Sequence, residues 1–325
     1  FSAISGSGTA AAAAIGGTMA PIELEEGYDK DYVAAVNIAS APTGQLIPPS
    51  NTLIVYATVA GSVSVAALFM AGYIPGIAWG ISLMFIAGYM AKKRGYVSTF
   101  SVTPKEALKV LWDALPSLLL IIIVIGGILK GVFTATEGSA IAVVYALILS
   151  LCYRSLKIKD LPSIILSSCK TTCIVIFMIG VSSIMSWVMA YTMIPTAIAN
   201  AMLSLSSNKY VILLLMNVIL LVVGTFMDPT PAVLIFTPIF LPICQSFGMD
   251  PVQFGIMIVF NLCIGTITPP VGVILFTGCK VVGISIEGVI KTLLPFFAAI
   301  AVVLLLVTYV PAMSMWIPSM LGLVK

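Results

Sequence analysis

Four short clusters inside apolar runs hold the residues of this chain that could do chemistry. Two are small turns, Ser5-Gly6-Ser7-Gly8 and Met227-Asp228-Pro229-Thr230. Two are built on proline pairs, Gly44-Gln45-Leu46-Ile47-Pro48-Pro49-Ser50-Asn51-Thr52 and Gly265-Thr266-Ile267-Thr268-Pro269-Pro270-Val271-Gly272. Their chemistry is coordination. Hydroxyls, turned-out carbonyls and one carboxylate are hard oxygen ligands that suit a cation such as Na+. The cation candidates are Ser5, Gly6, Ser7, Gly8, Gly44, Pro48, Met227, Asp228, Thr230, Gly265, Thr266 and Thr268. Ser50, Asn51 and Thr52 stand where a second half-helix begins, and free N–H groups with a positive dipole end suit an anionic solute. Ser7 and Thr268 join them as solute candidates. Each cluster also has a plainer reading. The serine-glycine turn could be a tight turn packed between helices, the proline pairs could be kinks, and Asp228-Pro229 could be an N-cap followed by N1.

The elements that must hold these clusters are membrane spans. The chain has 325 residues, 60% hydrophobic and 8% charged, with a net charge of +3. A soluble domain carries about 25% charge, so the sequence predicts an all-α polytopic membrane protein. A lipid-facing backbone cannot be broken without leaving bare amides in hydrocarbon, so the breaks must face protein or water. The basic residues are scattered, which does not suggest nucleic acid. There is no histidine, which removes Ser-His and Cys-His catalysis and imidazole metal sites. The six cysteines read as small buried apolar residues. The chain opens on Phe1 within a motif, and a further N-terminal part of the native protein is expected.

Spans are expected at 32–61 (broken at 44–51), 63–91, 115–133, 138–153, 163–192, 251–280 (broken at 265–272) and 288–310. Residues 9–22 read as the return arm of a re-entrant hairpin. Residues 209–225 and 229–247 read as the arms of a second one, with its tip at Phe226–Thr230. Thr103-Pro104 starts an interfacial arm helix, and Thr136-Glu137 is expected to cap the span after 133. Residues 194–208 read as a connector and the end of the chain as an interfacial tail. Lys92, Lys93, Arg94, Lys105 and Lys109 mark one loop as cytoplasmic, and Arg154, Lys157 and Lys159 fall on the same side two spans later. The count opens the first hairpin to the cytoplasm and the second to the outside.

The two halves align without a gap at an offset of 221. Thr9 pairs with Thr230, Pro21 with Pro242, Gly27 with Gly248, Asp29 with Asp250, and Gly44, Pro48 and Pro49 with Gly265, Pro269 and Pro270. Matches of residue types that shape backbone, in oppositely oriented halves, predict inverted-topology repeats with a midplane site, the plan of a secondary transporter. A channel and a membrane serine hydrolase are the competing readings. Paired breaks suit alternating access better than a pore, and the lack of histidine argues against the hydrolase.

Ser5-Gly6-Ser7-Gly8-Thr9 with its Ala-rich run, Gly27-Tyr28-Asp29, Ile47-Pro48-Pro49-Ser50, Gly224–Pro242 and Asn261–Gly272 together resemble the large membrane subunit of TRAP transporters. That subunit is a DctM-like permease of the ion transporter superfamily. The resemblance covers essentially the whole chain. It implies an elevator-type importer of the bacterial inner membrane that couples to Na+ and uses no other cofactor. It implies a small four-helix membrane subunit and a periplasmic substrate-binding protein as partners, and organic acids such as C4-dicarboxylates, sialic acid, keto acids or sugar acids as substrates. Carried over, one Na+ site falls at Ser5–Gly8 with Gly44–Ser50 and the other at Met227–Thr230 with Gly265–Thr268. Residues 1–91 and 209–310 would be the halves of a transport domain, 92–208 the arm and scaffold helices, and 311–325 the tail. Asn51-Thr52 departs from the apolar residues common after the proline pair. A stand-alone carboxylate carrier or antiporter of the same superfamily is the alternative.

Overall fold

A computed structural model describes residues 6–61, 63–96, 103–193, 197–198, 200–201 and 208–324. Ser5 and most of the 194–208 connector lie outside them. Every regular element among the described residues is helical. Among the described residues, five helices are long and apolar enough to cross a membrane.

The first repeat contains α1 (Gly8–Glu25), α2 (Lys30–Ser40), a 3-10 turn (Ala41–Gln45), α3 (Asn51–Ala60) and α4 (Val65–Arg94). The second contains α8 (Lys209–Phe226), α9 (Pro229–Ser246), α10 (Pro251–Ile267), α11 (Val273–Val282) and α12 (Ile286–Tyr309). Between them lie α5 (Pro104–Leu129), α6 (Ala135–Cys152) and α7 (Leu161–Tyr191), and α13 (Ala312–Met320) follows α12.

Helix starts in the two repeats coincide at the offset seen in the sequence: Gly8 with Pro229, Lys30 with Pro251 and Val65 with Ile286. Their N-cap residues correspond too, Ser7 with Asp228, Asp29 with Asp250 and Ser64 with Ser285. Most of these side chains accept the orphan amides of a first turn. Both proline pairs are joined by cis peptide bonds. After the second pair the register slips by one residue. The N-cap of α11 is Gly272 against Ser50 (272 − 50 = 222), and its C-cap is Gly283 against Gly61 (283 − 61 = 222). The offset returns to 221 at Ser285 and Ser64.

The chain forms two compact units, residues 1–97 with 182–325, and residues 98–181. In the first unit α10 is the central element, with residues 252–267 all buried, and it packs against α3, α4, α8, α9 and α12. The repeats interlock. α1 of the first packs on α11 of the second, and α9 of the second packs on α3 of the first. Tyr56 of α3 donates to the Pro251 carbonyl at 2.6 Å, and Trp79 of α4 packs on Phe260 with tilted rings, 4.7 Å between centroids. Within the second unit α5 and α6 pack as an antiparallel pair, tied by the Tyr145 hydroxyl to the Pro116 carbonyl at 2.7 Å.

Several expectations need correction. The arm at Thr103-Pro104 and the span after it are one helix, because Pro116 does not stop α5. The cap of α6 is Thr134, not Thr136, and Glu137 closes its capping box by accepting from the Thr134 amide at 2.7 Å. The last residues form a helix, α13, which packs on α4. Cys244, Cys263 and Cys279 are buried, but Cys152, Cys169 and Cys173 are exposed on the chain surface.

Arg94, at the end of α4, bridges two carboxylates. Its Nη1 lies 3.0 Å from Asp29 and its Nη2 lies 2.7 Å from Asp31. Thr292 of α12 bonds Asp31, and the Tyr96 hydroxyl donates to Asp29 at 2.6 Å. The Arg94 guanidinium holds the Asp31 carboxyl down at about 2, with Thr292 helping and burial opposing. This cluster staples the start of α2 to α4 and α12. It has no counterpart in the second repeat, where Val252 and Met315 occupy the places of Asp31 and Arg94.

Candidate functional site

The first break runs from the 3-10 turn to Ser50. Its geometry is fixed by side chains that cap it from within. The Ser50 hydroxyl donates to the Gln45 carbonyl and accepts from the Leu53 amide at 3.3 Å. Ser50 and Thr52 are buried, whereas Asn51 is exposed. The anion candidates therefore divide. Ser50 is committed to holding the break, and Asn51 is exposed at the start of α3, with its amide beside the Gly6 turn.

The tip before α1 sits against this break. A Cβ added at Gly6 would lie 3.3 Å from Asn51 Nδ2 and 3.4 Å from the Pro49 carbonyl oxygen, and one at Gly8 would lie 3.5 Å from the Ala41 carbonyl oxygen. These spacings are close to ordinary contact; what demands glycine is the left-handed φ of +61° at Gly6 and, at Gly8, Ile274 Cδ1 only 2.4 Å from the Cβ position. Ser7 caps α1 by accepting from the Ala10 amide at 3.4 Å, and its hydroxyl lies 3.1 Å from that of Thr9. Gly6, Gly8, Gly44 and Pro48 are buried and Ser7 is half-buried. Tip and break are thus brought together, with Ser7 and the carbonyls of Ala41 and Pro49 in one neighbourhood.

The second tip is Met227-Asp228, between α8 and α9. Asp228 caps α9, accepting from the Thr230 amide at 3.2 Å, so the capping geometry anticipated for it is present. Met227, Asp228 and Thr230 are all half-buried. The second break runs from Ile267 to Gly272. Its carbonyls crowd the left-handed Gly272, where an added Cβ would lie 2.9 Å from the Thr268 oxygen and 3.1 Å from the Thr266 oxygen. The Gly272 amide donates to the Thr225 carbonyl at 2.9 Å, which ties this break to the end of α8 beside the second tip. Gly224 and Gly265 let α8 and α10 meet backbone to backbone, since a Cβ on Gly265 would collide with the Gly224 main chain.

The threonine hydroxyls of this break point their protons back into α10. Thr266 donates to the Cys263 carbonyl and Thr268 to the Ile264 carbonyl, each at 2.7 Å. A hydroxyl that has spent its proton this way still has lone pairs to offer. Both breaks therefore present neutral oxygen, and the turn beside the second carries a carboxylate, Asp228. This donor set can hold a hard monovalent cation and has no nucleophile–base pair. The described N-terminal turns of α3 and α11 offer the amide-rich ends that an anionic group needs.

Sequence reasoning missed two features. Cys263 of α10 donates its thiol hydrogen to Gln45 Oε1 at 3.0 Å, linking the first break to the helix that leads into the second. A buried amide network ties α8, α10 and α12: Asn261 Nδ2 donates to Asn217 Oδ1 at 2.7 Å and Asn217 Nδ2 to the Thr308 hydroxyl at 3.0 Å. Polar residues inside apolar runs were the available signal for both.

Residues 1–313 match the family described as "Tripartite ATP-independent periplasmic transporter, DctM component". The chain is similar to an uncharacterized protein of Salmonella typhimurium, YgiK, with 52% identity over 98% of the chain and 74% of that relative. It is similar to the isethionate TRAP transporter permease protein DctMQ of Oleidesulfovibrio alaskensis, with 42% identity over 97% of the chain but only 50% of that longer relative. It is also similar to the C4-dicarboxylate TRAP transporter large permease protein DctM of Pseudomonas aeruginosa, with 37% identity over 99% of the chain and 76% of the relative. Together with the spans, these similarities place the chain in the DctM family of tripartite ATP-independent periplasmic transporters, as a multi-pass inner-membrane transport protein and not an enzyme.

Proposed function

We propose that this chain is the permease of a Na+-coupled, binding-protein-dependent importer of small organic anions. It works with a small four-helix membrane subunit and a periplasmic substrate-binding protein. Na+ binds where each tip meets its break: at Ser5–Gly8 with Gly44–Ser50, and at Met227–Thr230 with Gly265–Thr268. The solute anion is held beside Ser7, Ser50, Asn51, Thr52 and Thr268. Loaded sites cross the membrane by an elevator movement of a transport domain made from residues 1–91 and 209–310, against arm and scaffold helices in 92–208. The first and second tips lie in α-helical repeats that the sequence orients oppositely, so their hairpins are read as re-entrant from opposite faces.

The observation that carries this reading is that each break lies against a polar turn or the helix end beside one. Gly6 and Gly8 lie against Pro49 and Ala41, and Thr225, at the end of α8 just before Met227-Asp228, bonds Gly272. Isethionate and C4-dicarboxylates, named for two relatives, are both small organic anions, which supports that substrate class. The test is uptake by the full-length chain reconstituted with its two partners. Withdrawing Na+, or the binding protein, should abolish uptake. Uptake indifferent to both would reject the proposal.

A further inference from the structure

The Gln45–Cys263 contact joins the first break to the last turns of α10, the helix that leads into the second, across 218 residues of sequence. Gln45 is 5% exposed and Cys263 is fully buried. Cys263 is a shared node. Its thiol donates to the Gln45 side chain, and its carbonyl accepts from the Thr266 hydroxyl. Gln45 is held on its other side, where its carbonyl accepts from the Ser50 hydroxyl. A continuous series of bonds therefore runs from Ser50 through Gln45 and Cys263 to Thr266, from one break into the other.

The repeat makes this series unlike simple packing. Gln45 stands at the place of Thr266, 221 positions earlier. Thr266 bonds back into its own helix, whereas Gln45 crosses to the other repeat and lands on the residue that Thr266 also holds. A cation drawing on the carbonyls of the first break would pull on the Gln45 main chain. That pull moves the Gln45 amide relative to Cys263 and so shifts the Thr266 turn. A thiol is a weak donor, but out of water such bonds polarise one another.

We propose that Gln45 and Cys263 are positioning residues that couple the two cation sites, so that occupancy of one break favours occupancy of the other. This rests on the cation reading above. Linkage makes the effect reciprocal, and couplings of this kind change affinity by roughly fivefold or more.

The test compares the full-length wild type with Cys263→Ser, Cys263→Val, Gln45→Met and the double variant Gln45→Met with Cys263→Val. Two curves are read against Na+ concentration: uptake with the partners present, and the rise in melting temperature of the purified chain. The wild type should respond cooperatively, with a Hill coefficient above one, and Cys263→Ser, which keeps a donor, should do the same. Cys263→Val and Gln45→Met should each raise the Na+ midpoint about fivefold or more and bring the Hill coefficient toward one. The double variant should go no further than either. If Cys263→Val does not fold, Gln45→Met against Cys263→Ser carries the comparison. Wild-type curves in both Cys263→Val, which lacks the donor, and Gln45→Met, which lacks the acceptor, would overturn the proposal, as would a Cys263→Ser response matching Cys263→Val. A wild type that ignores Na+ in both measurements would instead reject the cation reading itself, before any variant is compared.

Discussion

Asp228 has one role in the structure and a second in the proposal, and mutation can separate them. It caps α9, and it is the carboxylate of the proposed second cation site. Asparagine caps about as well as aspartate, but alanine costs about 1 kcal/mol at such a position. Asp228→Asn should therefore keep the melting temperature close to wild type while raising the Na+ midpoint of uptake several-fold. Asp228→Ala should lose on both counts. An Asp228→Asn protein with unaltered Na+ dependence would reduce Asp228 to a cap. The tip residues Ser7 and Asp228 were legible in the sequence because a polar residue before an apolar, helix-forming run is a local signal. Gln45 and Cys263 were not, because their bond depends on two segments meeting across the fold. Their one visible hint was a glutamine where the other repeat has a threonine. The cysteines of α6 and α7 were misjudged for a related reason. An apolar run reads the same whether its residues face protein or lipid.

At the scale of elements, glycine placement decides how closely tip and break can approach. Gly265→Ala would drive a methyl into the Gly224 main chain, where no flexible side chain can give way. Overpacking of this kind costs about 1–3 kcal/mol, so the variant should melt lower and respond more weakly to Na+. Gly88→Ala is the matched control. Gly88 lies in α4 with open space around its Cβ position, so alanine there should be neutral or stabilising. Equal melting temperatures for the two variants would argue against a tight α8–α10 contact. The breaks themselves were the most legible elements, since proline pairs, glycines and aspartates act on the backbone locally. The continuity of α5 through Pro116 was not. A proline tolerated within a helix and one that ends it carry the same letter, and only the surrounding packing separates them.

For the molecule as a whole, the interlocked repeats and the Arg94 staple bear on global stability. Asp31 titrates at about 2 in the folded protein against an ordinary value of 3.8. A lowered carboxyl stabilises the folded state at pH values above its unfolded value and loses that contribution as the pH falls through its folded value. Acid titration of the melting temperature should therefore show a loss between about pH 4 and pH 2. Asp31→Asn should start lower at neutral pH and show a smaller loss in that window. Parallel curves for the two proteins would mean that the staple contributes nothing to the fold. Neither the staple nor the interlocking was visible in the sequence. The 221-residue offset revealed that the chain has two copies of one plan, but not that each copy completes the other. The one-residue slip after the second proline pair, cancelled before Ser285, bears on how such copies diverge. An added residue and a removed one offset each other while the caps on either side stay in step. A gapless alignment pairs Ser50 with Val271, although the residue standing at its place in the helix start is Gly272. Grafts between the halves must therefore be cut into three pieces, with α3 and α11 exchanged on their own numbering.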